Sequence, residues 1–277
     1  MKVECNEASL GGVLIAIPKG YKHEVIQVTE ENKWGLMARV RPLHEKLGWE
    51  PSRTEKEVYF HLREGTEVSL ITALGSTPED VAFVVQNMVG LDVNGKQKRE
   101  VLSIAAKVIA PEYQRHQFGT FLAQEAILRH KPAIVTGRTA NPNAMRAYEN
   151  TGFIEELLPI DRLYPPGIQI DLAVFYGELS YMLGIGRNVY EDDSINLRTG
   201  LCKGVYPPGA SELFVVEELG PGARRIYDRM VGPEIGAKLK KDGNDDMIDG
   251  VRYWAVVNGK ILSHFPYPRS DTELVAA

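Results

Sequence analysis

Two stretches of the sequence decide the fold: KVIAPEYQRHQFG at residues 107–119 and NPNAMRAYENTGF at residues 141–153. In the first, an apolar run ends at Pro111, a polar loop follows, and Gly119 opens an apolar helical pattern. This order predicts a strand, a loop and a helix. The N-terminus of such a helix directs unpaired backbone N–H groups and a partial positive charge to one point. The first stretch therefore predicts an anion site suited to a pyrophosphate.

The second stretch predicts a capped helix. Asn141 is a favoured N-cap residue, Pro142 suits the first helical position, and Gly152 suits the position after the last turn. Tyr148 follows Asn141 by about two helical turns, so the two residues lie on one helical face. For each of them a purely structural interpretation is open, with Asn141 as a cap and Tyr148 as core packing.

The flanking sequence predicts a mixed α/β fold. Upstream, we expect a strand at residues 23–28, a helix that begins near Thr29 and breaks before Pro42, and a short second helix ending at Gly48. The further predicted strands are residues 68–74 and 81–88, which form a hairpin, and residues 101–110, 133–136, 153–158 and 168–176. A meander followed by alternating strands and helices indicates a mixed sheet with helices on both faces.

The last hundred residues predict a small α+β extension. We expect a strand at 212–217, an amphipathic helix at 223–241, and a hairpin of residues 251–257 and 260–265 around Asn258-Gly259. A hairpin and one helix bury too little apolar surface to be stable alone. We therefore predict a core at residues 1–178 with the extension, residues 179–277, packed on it.

Composition excludes several classes of protein. The 277 residues carry a formal net charge of -5, which does not favour a nucleic-acid binder. Only Cys5 and Cys202 are present, and no signal peptide or membrane span can be identified, so we expect a cytoplasmic protein without disulfides. The six histidines lack metal-ligand spacing, and an acidic loop from Asp242 has Tyr253 where a calcium loop requires Glu. No metal site is predicted.

Together, in this order and spacing, the two stretches resemble the GNAT-type N-acetyltransferase superfamily. The family's acyl-CoA motif, V-x-P-x-x-[QR]-x-x-G-x-[GA], is similar to residues 109–119, and its second signature, N-x-x-A-x-x-x-Y-x-x-x-G-F, matches residues 141–153. The resemblance covers about residues 23–178. It implies an α/β (α+β mixed-sheet) fold, with a GNAT-like acyl-CoA N-acyltransferase core and the C-terminal α+β extension.

The resemblance also implies the donor and its binding residues. The protein would use acetyl-CoA as co-substrate and acetylate a primary amine of a small molecule or peptide by direct attack. The pantetheine arm would run along residues 107–109, and the pyrophosphate would lie on the amides of residues 115–120. The implied cofactor-binding residues are Lys107, Val108, Ile109, Gln114, Arg115, His116, Gln117, Phe118, Gly119, Thr120 and Asn141. The superfamily often dimerises, so a homodimer is an open alternative to a monomer.

The resemblance makes Tyr148 the acid that protonates the leaving thiolate, since a phenol of pKa about 10 can donate to a thiolate of pKa about 8.5. Two departures from the family are evident. Gln117 replaces the first glycine of the family's loop. Ser103 and Thr136 occupy the positions at which family members carry the glutamate that acts as general base. Glu100 is the remaining candidate for a base acting through a water, or it is simply a solvated acid. The alternative function is a non-catalytic acyl-CoA-binding or interaction module.

Overall fold

The computed structural model describes residues 5–10, 13–47, 55, 58–59, 61–63, 66–93, 97–139, 141–159, 195–196, 201–206, 220–230 and 248–263. Their strands are β1 (Cys5–Leu10), β2 (Val13–Pro18), β3 (Tyr21–Gln27), β4 (Glu67–Ala73), β5 (Glu79–Val93), β6 (Gln97–Ile109), β7 (Ile134–Thr139), β8 (Ile154–Pro159), β9 (Ile195–Asn196), β10 (Leu201–Tyr206) and β11 (Ile248–Val257). Their helices are α1 (Lys33–Glu45), α2 (Phe118–His130), α3 (Pro142–Glu149), α4 (Pro221–Met230) and α5 (Gly259–Ser263).

Most of the strands form one mixed sheet in the order β3-β4-β5-β6-β7-β11-β10-β9, with β8 paired to β11. Strands β3 to β6 are an antiparallel meander, and β6 and β7 are parallel. Strands β1 and β2 form a separate antiparallel pair. The predicted mixed α/β fold and the predicted hairpin of β4 and β5 are confirmed.

Helices cover both faces of the sheet. On one face, α1 buries Leu36, Val40 and Leu43 against alternate residues of the meander such as Val68 and Phe83. On the other face, α2 is apolar on most of its surface and packs on β5, β6 and β7 together with α3. Because successive side chains of a strand point to opposite faces, the sheet contributes to two separate apolar cores. One of these cores holds α2 and α3 beside the ends of β6 and β7.

The C-terminal region contributes a strand to the interior of the sheet. Strand β11 pairs antiparallel with β7 along residues 251–256. On its other edge, β11 pairs with β10 near Val251 and with β8 along residues 253–257. Helix α4 packs on α3, where Arg225 forms an ion pair with Glu149 at 3.0 Å. The division of the chain at residue 178 stays a prediction, but residues beyond it complete the sheet.

The predicted break before Pro42 is wrong, because α1 continues through Pro42 to Glu45. Proline removes one helical hydrogen bond and crowds the preceding turn, which costs about 3 kcal/mol in an isolated helix. Here Val40 and Leu43, on either side of the proline, are almost fully buried against the sheet. Tertiary packing therefore overrides the local preference.

The predicted hairpin around Asn258-Gly259 is also wrong. Strand β11 ends at Val257, and helix α5 begins at Gly259. The Asn258 side chain accepts hydrogen bonds from the backbone N–H groups of Lys260 and Ile261, both at 3.1 Å. Asn is favoured both as an N-cap and as a turn residue. Here Asn258 caps a helix instead of forming the turn of a hairpin.

Several predictions lie outside the described residues. These are the strands at residues 168–176 and 212–217 and most of the acidic loop after Asp242. Of the helix predicted at 223–241, the described part is α4. None of the helices that the structure describes has the length and hydropathy needed to span a bilayer.

Candidate active site

A wedge opens between the two parallel strands at the centre of the sheet. Strands β6 and β7 pair over only three residues, from Val101–Ile134 to Ser103–Thr136. Beyond these residues, β6 pairs only with β5 and β7 only with β11, as far as the described residues show. The facing edges of residues 104–109 and 137–139 therefore have backbone groups free to bind an extended ligand. We call this space the β6–β7 wedge.

A β-bulge accounts for the wedge. Ala106 pairs with Val85, and Ile104 pairs with Gln86, so Ala105 is an extra residue in β6. A bulge of this kind bends its strand and increases the local twist. The bend lies just after Ser103, where the pairing with β7 stops. The residues predicted to bind the pantetheine arm, 107–109, lie on the bent part of β6.

The loop after β6 leads into the N-terminus of α2. A single 3₁₀ turn spans Pro111–Tyr113, and α2 begins at Phe118. Arg115 and Gln117 have positive φ values of 77° and 62°, a conformation that L-residues other than Asn and Asp adopt rarely. Gln117 is the N-cap residue of α2. The first turn of α2 lies beside Ile109 at the end of β6, and the anion site at its amides stays a prediction.

The side chains of this loop point to solvent. All four residues from Gln114 to Gln117 are exposed or partly exposed. His116 is anchored by a 3.0 Å contact between its Nδ1 and the carbonyl oxygen of Tyr113. Because Gln117 is exposed, its side chain does not fill the space at the helix start.

Gly119 permits close packing between elements. A Cβ at this position would lie 3.2 Å from Ile109 Cδ1 and 3.4 Å from the Cβ of Ala147. The missing side chain thus lets α2 approach both β6 and α3. Phe118 and Gly119 are buried, so the packing of these two residues fixes the position of the first turn of α2.

Helix α3 has the cap that the sequence predicts. The Asn141 side chain accepts a hydrogen bond from the backbone N–H of Asn143 at 2.9 Å. Thr139 fixes the residue further, because its Oγ1 accepts the Asn141 N–H at 3.0 Å. The cap role of Asn141 is therefore confirmed, and its contact with the CoA arm stays a prediction.

Tyr148 lies deep inside the site and shares a hydrogen bond with Tyr253 of β11. Only 1% of Tyr148 is exposed, and burial raises its pKa, while the hydrogen bond with Tyr253 acts in the opposite direction. Gly137 of β7 pairs with Tyr253 of β11 and leaves room for the Tyr253 ring. A Cβ at residue 137 would lie only 2.8 Å from the Tyr253 hydroxyl oxygen. The Tyr148 phenol stays protonated at neutral pH and is oriented by a second phenol.

Lys107 brings an amine to the same place. Its Nζ donates a hydrogen bond to the carbonyl oxygen of Ala144 at 3.1 Å and lies 4.3 Å from the centroid of the Tyr148 ring. The side chain is partly exposed along its length, but its amine end is enclosed. Burial lowers the pKa of Lys107 to about 7, and no described carboxylate pairs with it.

The structure does not bring Glu100 to this group. Glu100 is exposed near the start of β6, whereas Lys107 is near its end. At about 3.3 Å per residue, roughly 20 Å of strand separates the two. Ser103 and Thr136 lie where the wedge begins, and the Thr136 hydroxyl donates to the carbonyl oxygen of Tyr253 at 2.9 Å. Glu100 therefore lies at the other end of β6 from Lys107, and its role as a base that acts through a water stays a prediction.

The sequence does not predict the Tyr253 contact or the position of the Lys107 amine. Lys107 was assigned only through its backbone, because the alternation of β6 is shifted by the bulge and its direction cannot be read from the sequence. Tyr253 is more than a hundred residues from Tyr148. The sequence signal for it is the partner glycine, Gly137, within a strand that is rich in β-branched residues.

Comparison with protein-family models finds no match, and comparison with curated proteins finds none. The solved structures to which the chain is similar include N-acetyltransferases and an acetyltransferase of the GNAT family. A probable N-acyltransferase from Enterococcus faecalis is 13% identical, with a TM-score of 0.35, over 50% of this chain and 33% of that one. A putative arylalkylamine N-acetyltransferase from the yellow fever mosquito is 12% identical, with a TM-score of 0.35, over 53% and 82%. A GNAT-family acetyltransferase from Bacillus cereus is 11% identical, with a TM-score of 0.33, over 53% and 91%.

Proposed function

We propose that this protein is an acetyl-CoA-dependent N-acetyltransferase. The observation that carries the proposal is the β6–β7 wedge, which offers a free strand edge that ends at the first turn of α2. A pantetheine arm contains two amides, so it can bind such an edge as an additional strand. The pyrophosphate that follows the arm is an anion that suits a helix N-terminus. One linear ligand thus fits both features.

Within this proposal, residues 107–109 bind the pantetheine arm, and the amides of residues 115–120 bind the pyrophosphate. Asn141, whose oxygen already caps α3, contributes its amide NH₂ to the arm. A backbone N–H on the bent part of β6 polarises the acetyl carbonyl, and this contact strengthens as negative charge develops on the oxygen.

The chemistry is a direct transfer. The acceptor amine, in its neutral form, attacks the carbonyl carbon of the thioester. A C–N bond forms, the C–S bond breaks, and the proton that the nitrogen loses on becoming an amide restores the Tyr148 phenol. Tyr148 donates its phenolic proton to the leaving thiolate, and Tyr253 holds the phenol in place. Because Glu100 lies roughly 20 Å along β6 from Lys107, we assign the deprotonation that makes the acceptor amine neutral to solvent in the open part of the wedge, with Glu100 as the alternative base.

The acceptor in this proposal is a primary amine of a small molecule or a peptide. The two widely separated cysteines, Cys5 and Cys202, suit a cytoplasmic enzyme. A homodimer is consistent with the proposal but is not needed to complete the group formed by Lys107, Tyr148 and Tyr253.

The test combines binding and turnover. Calorimetry measures the affinity for acetyl-CoA, and release of free CoA thiol is followed in the presence of a pooled library of amines. We expect binding, and thiol release that depends on at least one amine. Absence of acetyl-CoA binding would contradict the proposal.

A non-catalytic acyl-CoA-binding module is the second candidate. It is favoured by the contacts of the polar groups in the site, since Tyr148 already bonds to Tyr253 and Lys107 to the Ala144 carbonyl. Binding of acetyl-CoA without thiol release for any amine in the pool would support this candidate over the enzyme.

A further inference from the structure

Lys107 carries an amine into the space that the proposed function assigns to the thioester. The Nζ atom lies over the face of the Tyr148 ring, 4.3 Å from its centroid. The side chain begins on the strand assigned to the pantetheine arm and crosses to α3, where Nζ contacts the Ala144 carbonyl oxygen. A donor bound in the β6–β7 wedge, with its sulfur near the Tyr148 hydroxyl, has this amine as a neighbour.

The amine is also in a reactive form. An attacking amine must be neutral, and burial lowers the pKa of Lys107 to about 7, which favours the neutral amine over the ammonium form. An ion pair with a carboxylate would oppose this, and the described residues provide none. Exposed Lys22, by contrast, is paired with Glu24 at 3.3 Å.

We propose that Lys107 is a self-acetylation site of this protein, an inference that rests on the proposed binding of acetyl-CoA in the wedge. Neutral Lys107 Nζ attacks the acetyl carbonyl carbon, a C–N bond forms, and the C–S bond breaks. CoA leaves as the thiolate and takes up one proton, which the amine loses, so the products are Nε-acetyl-lysine and CoA thiol. No other reactant is required.

Acetylation would change the site in a definite way. The amide product has no positive charge, so the cation over the Tyr148 ring is lost. The added acetyl group would occupy the position of the next donor's acetyl group. Self-acetylation therefore competes with acetylation of an acceptor and leaves the wedge blocked.

The experiment uses the full chain and acetyl-CoA alone. After incubation, the protein is denatured and digested, and the acetylated fraction of each lysine is measured by mass spectrometry. We expect the acetylated fraction of Lys107 to exceed that of exposed Lys22 by at least about tenfold, because a bound donor has a high effective concentration. This ratio should not depend on protein concentration, and excess free CoA should suppress acetylation of Lys107 but not of Lys22.

Two variants sharpen the result. Lys107→Arg keeps the positive charge but lacks a nucleophile of comparable strength, so this variant should not be acetylated at residue 107. Lys22→Arg, the control, should still be acetylated at Lys107. The ratio measured in the unchanged protein decides the question even if Lys107→Arg fails to fold. Calorimetry with acetyl-CoA separates the two proposals. Binding with equal acetylation of Lys107 and Lys22 overturns self-acetylation alone, and absence of binding overturns both.

Discussion

Gln117 occupies a position where a glycine would be under less strain. Its φ of 62° is left-handed, and such a conformation costs an L-residue roughly 1–2 kcal/mol. Gln114, three residues earlier in the same loop, has an ordinary φ of -63°. The two glutamines therefore differ in backbone conformation while sharing residue type and loop.

We predict that Gln117→Gly stabilises the protein and that Gln114→Gly destabilises it. Relief of the strain at residue 117 exceeds the extra entropy that glycine gives the unfolded chain, about 0.4–1 kcal/mol, so the net gain is about 0.5–1 kcal/mol. At residue 114 only the entropy cost applies. Urea denaturation measures both free energies of unfolding. Equal losses in the two variants would contradict the assignment of strain to Gln117.

A second prediction concerns Tyr148. If Tyr148 protonates the thiolate, Tyr148→Phe should lower acetyl transfer by about 10²–10⁴-fold and leave the affinity for acetyl-CoA almost unchanged. Thiol release with an active amine and calorimetry measure the two quantities. Tyr253→Phe is the matched control: it keeps the acid and removes its hydrogen-bond partner, and we expect a loss of about tenfold. Full turnover in the Tyr148→Phe variant would make Tyr148 a packing residue.

At the scale of single residues, the sequence predicts what local chemistry determines. Asn141 caps α3 because Asn and the following Pro142 suit those two positions whatever surrounds them. The direction of the Lys107 side chain depends on the bulge at Ala105, which no local pattern predicts. The Tyr253 contact depends on a strand from the far end of the chain.

At the scale of elements, strand β4 and helix α2 are joined by a buried polar cluster. Glu67 of β4 accepts hydrogen bonds from Arg129, from Gln86 at 2.5 Å and from Gln27 at 3.2 Å. His130 Nε2 lies 2.6 Å from the same carboxylate. Burial alone would raise the pKa of Glu67, but the hydrogen bonds from His130 and Arg129 lower it to about 2.

This shift predicts how stability depends on pH. The folded pKa of Glu67, about 2, lies below the ordinary value of 4.5, so its contribution is complete above pH 4.5 and is lost as pH falls through 2. The contribution is about 3 kcal/mol. Glu67→Gln should reduce the loss of unfolding free energy over this range, and Glu155→Gln, at an exposed site on β8, should not. An unchanged pH dependence in Glu67→Gln would assign the acid sensitivity to other groups.

Helices and strands could be predicted where two sequence patterns agreed. They were predicted wrongly where tertiary packing overrode a local preference or where one residue suits two kinds of structure. The β4–β5 hairpin combines apolar runs with a turn around Pro78, and α2 combines apolar periodicity with Gly119. Pro42 indicates a helix end, but the burial of its neighbours keeps α1 intact. Asn258 is ambiguous, since the same side chain starts a turn or caps a helix.

At the scale of the molecule, the C-terminal region and the site are one structural unit. Strand β11 provides Tyr253 to the site and joins β7 to β8. Helix α4 packs on α3, which carries Tyr148. A chain ending at Glu178 keeps every motif of the resemblance but loses both supports.

We predict that this shortened chain is insoluble or unfolds without cooperativity. It would leave Tyr148 without its partner and expose the apolar edge of β7. Solubility, thermal unfolding and acetyl-CoA affinity are compared with those of the full chain. A soluble, cooperatively folding product with the affinity of the full chain would show that residues 1–178 fold on their own.

The position of β11 could not be predicted because strand order depends on pairing between distant segments. A strand at residues 251–257 was expected, but the sequence places it only in an extension. Consecutive strands usually lie side by side, which would place β8 next to β7. Instead, β11 is inserted between them.

The insertion of β11 has a consequence for biosynthesis. Strands β7 and β8 leave the ribosome long before Ile248, so each emerges with one edge that has no partner yet. Pairing between segments so far apart is slow, and open edges recruit strands from other chains. A chain released before Val257 has been added keeps these edges open, so we expect it to be prone to aggregation.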